Sequence, residues 1–132
     1  MDEVVSAKNK LKISIYRFFT DENGKSQFGT IDIPTNLVDF APPAPKVYLS
    51  SQSNAKKSFF LIIPPKWYGQ NHPVPSRQLM TIVSGSIEVI ASDGIKRTFS
   101  VGDTALFEDT WGEGHITNNA SNDNLVVSVV QL

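Results

Sequence analysis

HPVPSRQLMTIVSG, residues 72–85, and GDTALFEDTWGEGHITNN, residues 102–119, are the two stretches whose reading decides the fold. The chain has two histidines, and each of these segments holds one, His72 and His115. Residues two apart on a strand share a face, so an extended first segment points His72, Val74, Ser76 and Gln78 the same way. Pro73 and Pro75 fall on the other parity, and the loss of two backbone donors on one side places this stretch at a sheet edge, a bulge or a barrel mouth. In the second segment His115 and Thr117 share a parity. Within each segment the candidates that share a face are thus His72 with Gln78, and His115 with Thr117.

Outward from these segments the sequence stays strand-like. Leu11, Ile13 and Ile15 alternate with Lys12, Ser14 and Tyr16 and run into the turn residues Asp21–Gly24, which predicts a half-buried strand entering a hairpin. Further strands are expected near Phe28–Ile33, Val47–Ser50, Ser58–Ile63, Ile87–Ala91, Ile95–Phe99 and Leu125–Val130, with a tight hairpin across Ser92, Asp93 and Gly94. The proline-rich run 41–45 reads as an extended loop across a sheet edge. Only Asn36–Phe40 offers a turn of helix. Many short strands punctuated by Gly and Pro predict an all-β sandwich or barrel.

Together the two segments resemble the signature motifs of the cupin superfamily. On the first motif His72 takes the first histidine, Val74 the second, Gln78 the glutamate and Gly85 the closing glycine. On the second, Gly102 takes the glycine, Glu108 the proline, Thr110 the next glycine, His115 the histidine and Asn119 the asparagine, with extra residues around Trp111–Gly114. A narrower resemblance is to small cupins with an HPxPxRQ first motif and a GD…EDTxGxGH second. The resemblance covers residues 57–130 and implies a cupin-type antiparallel β-barrel, that is, a double-stranded β-helix or jelly roll, with both motif strands aiming their ligands into the lumen. It implies a single cupin domain over 1–132, with N-terminal strands over about 11–50 and a motif-bearing barrel core over about 57–131. Gly102 and Asp103 resemble the family's turn pair and are expected to be structural. The same barrel hosts many activities, so the family alone does not select one.

Two ligand positions of that resemblance are altered. Val74 cannot bind metal and Gln78 is a neutral amide, which leaves His72, Gln78 and His115 as the set for a weakly bound divalent metal, unless Glu108 or Asp109 restores a two-histidine-one-carboxylate site. Without metal, histidine's ordinary pKa of ~6.5 suits acid–base work at neutral pH. The expected catalytic residues are thus His72 and His115, aided by Gln78 and Glu108, with lyase, isomerase or cyclase chemistry on a small polar or aromatic metabolite. A ligand-binding or sensing cupin without turnover and a metal-dependent dioxygenase are the alternatives. Ligand contacts are expected from Trp67, Tyr68, Ser76, Arg77, Met80, Trp111 and Thr117. Arg77 either pairs with Glu108 or Asp109 or grips an anionic group at the mouth, and the loop Thr110–Gly114 is either a small lid or a plain connection.

Composition sets the outer limits. The 132 residues suffice for one core without disulfides, and there is no cysteine for a thiolate site. A net charge of -1 offers no field for nucleic acid or an anionic membrane. The opening MDEVVSAKNKLK lacks the basic and apolar regions of a signal peptide, and no apolar run approaches the ~20 residues of a membrane span. The expectation is a cytoplasmic protein whose partners are a small-molecule ligand and a second copy of itself in a homodimer.

Overall fold

The computed structural model describes residues 11–132. Residues 1–10, which carry the reading of the N-terminus, lie outside the described residues. Eleven strands follow in order: β1 Lys12–Thr20, β2 Ser26–Val38, β3 Val47–Ser50, β4 Lys57–Ile63, β5 Tyr68–His72, β6 Gln78–Ser84, β7 Ser86–Ala91, β8 Lys96–Ser100, β9 Thr104–Phe107, β10 His115–Asn118 and β11 Leu125–Gln131. They form a seven-stranded sheet, β3-β2-β1-β9-β6-β11-β4, facing a four-stranded one, β5-β10-β7-β8. Among the described residues no helix is long and apolar enough to cross a membrane.

The antiparallel pairs β4·β11, β5·β10, β6·β9 and β7·β8 are nested one inside the next. A long hairpin wound on itself has this pairing, and it yields the eight-stranded jelly roll, or double-stranded β-helix. Each sheet keeps its own edges, so the lumen is bounded by two facing sheets and not by one continuous ladder. β1 adds to β9 in parallel, the one departure from antiparallel pairing among these strands, and β2 and β3 extend the sheet from there.

Alternation assigns the faces. Phe18, Ala105, Phe107, Ile82, Val127 and Val129 point between the sheets and meet Ile87, Val89 and Phe99 from the smaller sheet, forming a core in which each large side chain contributes about 1.5–3 kcal/mol by burial. On β1 the inward set is Tyr16 and Phe18, while the isoleucines that read as the core stripe, Ile13 and Ile15, sit on the outer face opposite Ile33 and Ile31. The helical turn expected at Asn36–Phe40 is not formed: Thr35–Val38 pair with Ser50–Val47, and that ladder holds the chain extended. Nor does 72–78 run as one strand. β5 ends at His72, β6 begins at Gln78, and the two prolines lie in the crossover from the smaller sheet to the larger.

Candidate functional site

The two histidines are cross-strand neighbours. β10 pairs β5 in the register His115↔His72, so both rings rise from adjacent strands of the smaller sheet, with centroids 5.0 Å apart. The close approach depends on Gly114, whose φ is +75° and where a Cβ would lie 2.0 Å from the His72 carbonyl carbon. Only glycine takes this backbone without strain, and only glycine leaves room for the His72–Pro73 peptide. The Val74 amide donates to the Asp109 carbonyl at 3.0 Å, which ties the crossover to the segment after β9.

His115 is buried, with the rings of Phe18 and Phe107 each 5.2 Å away. Its Nδ1 bonds the Asp109 carboxylate at 2.6 Å, and Asp109 is itself fully buried. A carboxylate accepts and does not donate, so Nδ1 carries the proton and Nε2 is the nitrogen left for the lumen. His72, exposed at the mouth, has its Nδ1 2.5 Å from the Gln70 carbonyl oxygen, and the same logic frees its Nε2. The site thus holds two imidazoles with matched tautomers, one on the floor and one at the rim.

Both line a cavity of about 310 Å³ between the sheets, open at the side where β4 and β5 leave their edges unpaired. Of the residues expected from the sequence, His72, Gln78, His115, Trp67, Met80 and Thr117 are brought together there. Tyr68, Ser76, Arg77, Glu108 and Trp111 are not among its walls. Glu108 follows Leu106 on the outer parity, where Arg17 Nε and Arg77 Nε donate to it at 2.6 and 2.7 Å. Burial alone pushes its carboxyl up, but the two guanidiniums outweigh that and hold it below the usual range. Arg77 therefore stands in an ion pair on the outer face. Trp111 is 54% exposed, and its carbonyl accepts from Thr20 Oγ1. The Glu113 amide donates to the Gly24 carbonyl, the Lys25 ammonium meets the Glu113 carboxylate, and Ser26 Oγ donates to the Gly114 carbonyl. Loop 110–114 is fastened to the β1–β2 hairpin as a connection.

The sequence reading named Asp109 only as an alternative to Glu108, and it missed Phe59, Leu61 and Gln131 altogether. Parity identifies the first: Ala105 and Phe107 face inward, and Asp109 continues their alternation. Phe59 and Leu61 alternate likewise along β4, and Gln131 is the cross-strand partner of Gln78. Gln131 Nε2 donates to Gln78 Oε1 at 3.2 Å, which uses one of the two lone pairs of the amide oxygen that would meet a metal. Among the described residues no three His, Asp or Glu side chains stand together as a metal set. Two imidazole nitrogens and one neutral amide oxygen, with no carboxylate among them, would hold a divalent ion only weakly, as the two altered motif positions lead one to expect. Asn119, fully buried, is a clamp: Nδ2 donates to the carbonyls of Ile63, Pro64 and Asp123, and Oδ1 accepts from Ser121.

An eight-stranded double-stranded β-helix is the jelly-roll architecture that cupins share with other β proteins. No family model and no curated protein matches the chain. Similar solved structures include a cupin 2 conserved barrel domain protein from Salinispora arenicola CNS-205, at 15% identity over 76% of each chain with a TM-score of 0.48. An uncharacterized conserved protein with a double-stranded beta-helix domain from Klebsiella pneumoniae is similar at 23% identity over 72% of this chain and 83% of that one, TM-score 0.47. A cupin 2 conserved barrel domain protein from Leptotrichia buccalis is similar at 14% identity over 93% and 77%, TM-score 0.46.

Proposed function

We propose that the chain binds a small molecule in its lumen and catalyses proton transfer on it, as a lyase or isomerase does. The observation that carries this reading is the Asp109–His115 hydrogen bond at 2.6 Å beside the second imidazole. Asp109 orients the ring, holds its tautomer and offsets the charge of the imidazolium that forms when Nε2 takes a proton. In the reaction, Nε2 of one histidine removes a proton from the substrate, and the C–H electron pair moves into an adjacent unsaturated group. The other histidine, protonated, returns a proton to a different atom or to a departing oxygen. Asp109 is a positioning residue here; His115 and His72 are the catalytic ones. The test is solvent exchange: a panel of neutral enolisable ring ketones, acetophenone and cyclohexanone among them, is incubated in D2O and followed by NMR. Deuterium should enter the α-position faster with the parent than with His115→Ala, with Asp109→Asn in between. Ligands that bind in the lumen with no exchange across the panel would favour the alternative of a binding protein without turnover.

We also propose a homodimer through the outer face of the larger sheet. Ile13 is 52% exposed there, and Ile15, Ile31, Ile33, Leu79, Leu106 and Val130 line a groove of about 510 Å³. Ser50, Ser51, Gln52, Ser53 and Arg77 line the same groove, and the part-exposed isoleucines beside them favour association. Light scattering at micromolar concentration should return twice the 14.5 kDa chain mass, and Ile13→Lys should shift it toward the monomer. A monomer mass for the parent would refute the pairing.

A further inference from the structure

We infer that the lumen selects an uncharged, planar molecule of about one ring, apolar over most of its surface and hydrogen-bonding at one end; the inference rests on the lumen being the ligand site. Among the described residues, the side chains lining the cavity include no Lys, Arg, Asp or Glu. The nearby arginines and Glu108 lie elsewhere: Arg17 and Arg77 both pair with Glu108 on the outer face, away from the lumen. Asp109 turns its Oδ2 to His115, while its Oδ1 is buried without a partner among the described residues. If His115 takes up a proton, the Asp109 charge 2.6 Å away balances it, so the floor offers an incoming anion little net attraction. An ion entering this space would lose its hydration to walls that carry no lysine, arginine, aspartate or glutamate among the described residues, a cost of several kcal/mol.

The walls are segregated. Phe59 and Leu61 face inward from β4 and yet remain 36% and 39% exposed, which leaves apolar surface in the lumen for a ligand to cover. Polar groups gather toward one end, where Gln78 and Gln131 on the larger sheet and His72 and His115 on the smaller one, with Thr117 beyond them, offer donors and acceptors but no fixed charge. Trp67 supplies the planar element. A Cβ at Gly69 would lie 2.4 Å from the Trp67 ring, so the indole packs directly against the β5 backbone while lining the cavity. A volume of about 310 Å³ is at the small end for ligand pockets and fits a single ring with a short polar substituent.

Benzamide, benzoate and benzamidinium share one shape and differ in charge, which makes them the test. With Trp111→Phe the chain keeps one of its two tryptophans, Trp67, as the fluorescent reporter. Benzamide should perturb Trp67 with at least tenfold higher affinity than either ion. Leu61→Arg, at a wall position already part-exposed, should shift the preference to benzoate; Leu61→Asp should shift it to benzamidinium. Equal binding of all three to the parent, with the Leu61 variants still changing the order, would overturn the charge selection and leave the lumen as the site. Binding of any of them that ignores both Leu61 variants would overturn the lumen reading itself. No binding of benzamide up to 10 mM, a limit of about -2.7 kcal/mol, would overturn the inference of an apolar lumen open to a single ring.

Discussion

Gly114→Ala is expected to be the most damaging small substitution near the site, and its cost separates into two parts. The first is conformational: a φ of +75° suits glycine, and an alanine there costs about 1–2 kcal/mol. The second is steric, because the new Cβ would sit 2.0 Å from the His72 carbonyl carbon and 2.2 Å from its oxygen, where ordinary contact begins at 3.4 Å. These are backbone atoms and cannot rotate away, so β10 and β5 must separate, at about 1–3 kcal/mol for an overpacked site. The expected loss is about 2–5 kcal/mol. Gly94→Ala is the control, since Gly94 has φ +95° with nothing within 4 Å of its Cβ position and bears the conformational part alone. Urea unfolding of both, with an m-value of about 1.5 kcal/mol/M, should lower the midpoint by roughly 1 M for Gly94→Ala and by up to roughly 3 M for Gly114→Ala. NMR contacts between the His72 and His115 rings should weaken in the second variant alone. Equal losses in the two variants, with unchanged ring contacts, would refute the claim that Gly114 sets the distance between the histidines.

Asn119→Ala removes a buried amide that three carbonyls and Ser121 share, and should cost about 2–4 kcal/mol in urea unfolding; a loss under 1 kcal/mol would show that the clamp is dispensable. Glu108→Gln should cost about 1 kcal/mol at neutral pH, as for ion pairs still in contact with water. Because the Glu108 carboxyl is held below its ordinary 4.5, its contribution is present above that value and disappears as pH falls through the lower folded one, so parent and variant should converge under acid; a gap independent of pH between 7 and 3 would count against the pair. Val74→His with Gln78→Glu adds an imidazole and a carboxylate to walls shared with His72 and His115, and should raise zinc affinity at least tenfold, about 1.4 kcal/mol, in calorimetric titration. Unchanged affinity in a folded variant would mean that positions 74 and 78 cannot converge with the histidines on one ion.

Most strands were legible because alternation and Gly or Pro punctuation are local properties. Val47–Ser50 was expected and is β3, and the hairpin across Ser92–Gly94 joins β7 to β8. Asn36–Phe40 was misread because its composition is neutral between helix and strand, and the deciding bonds come from β3, ten or so residues away. The site was half legible. His72, Gln78, His115 and Thr117 lie in motif segments and meet as the resemblance implied, whereas Glu108 was chosen over Asp109 because their adjacency hides which of them continues the inward parity of Phe107.

By itself the sequence determined a β protein with two histidines in two motif segments, since strand periodicity and the positions of glycine and proline act within a few residues. Tertiary structure decided that the two histidines meet and what surrounds them. Asp109 bonds His115 across the connection between β9 and β10; Gln131 meets Gln78 only through the β6·β11 register; and Arg17, Arg77 and Glu108 pair on the outer face of the larger sheet, away from the lumen. Charge and hydrogen-bond partnership depend on distances between residues far apart in the chain, and those distances exist only once the long hairpin has wound on itself.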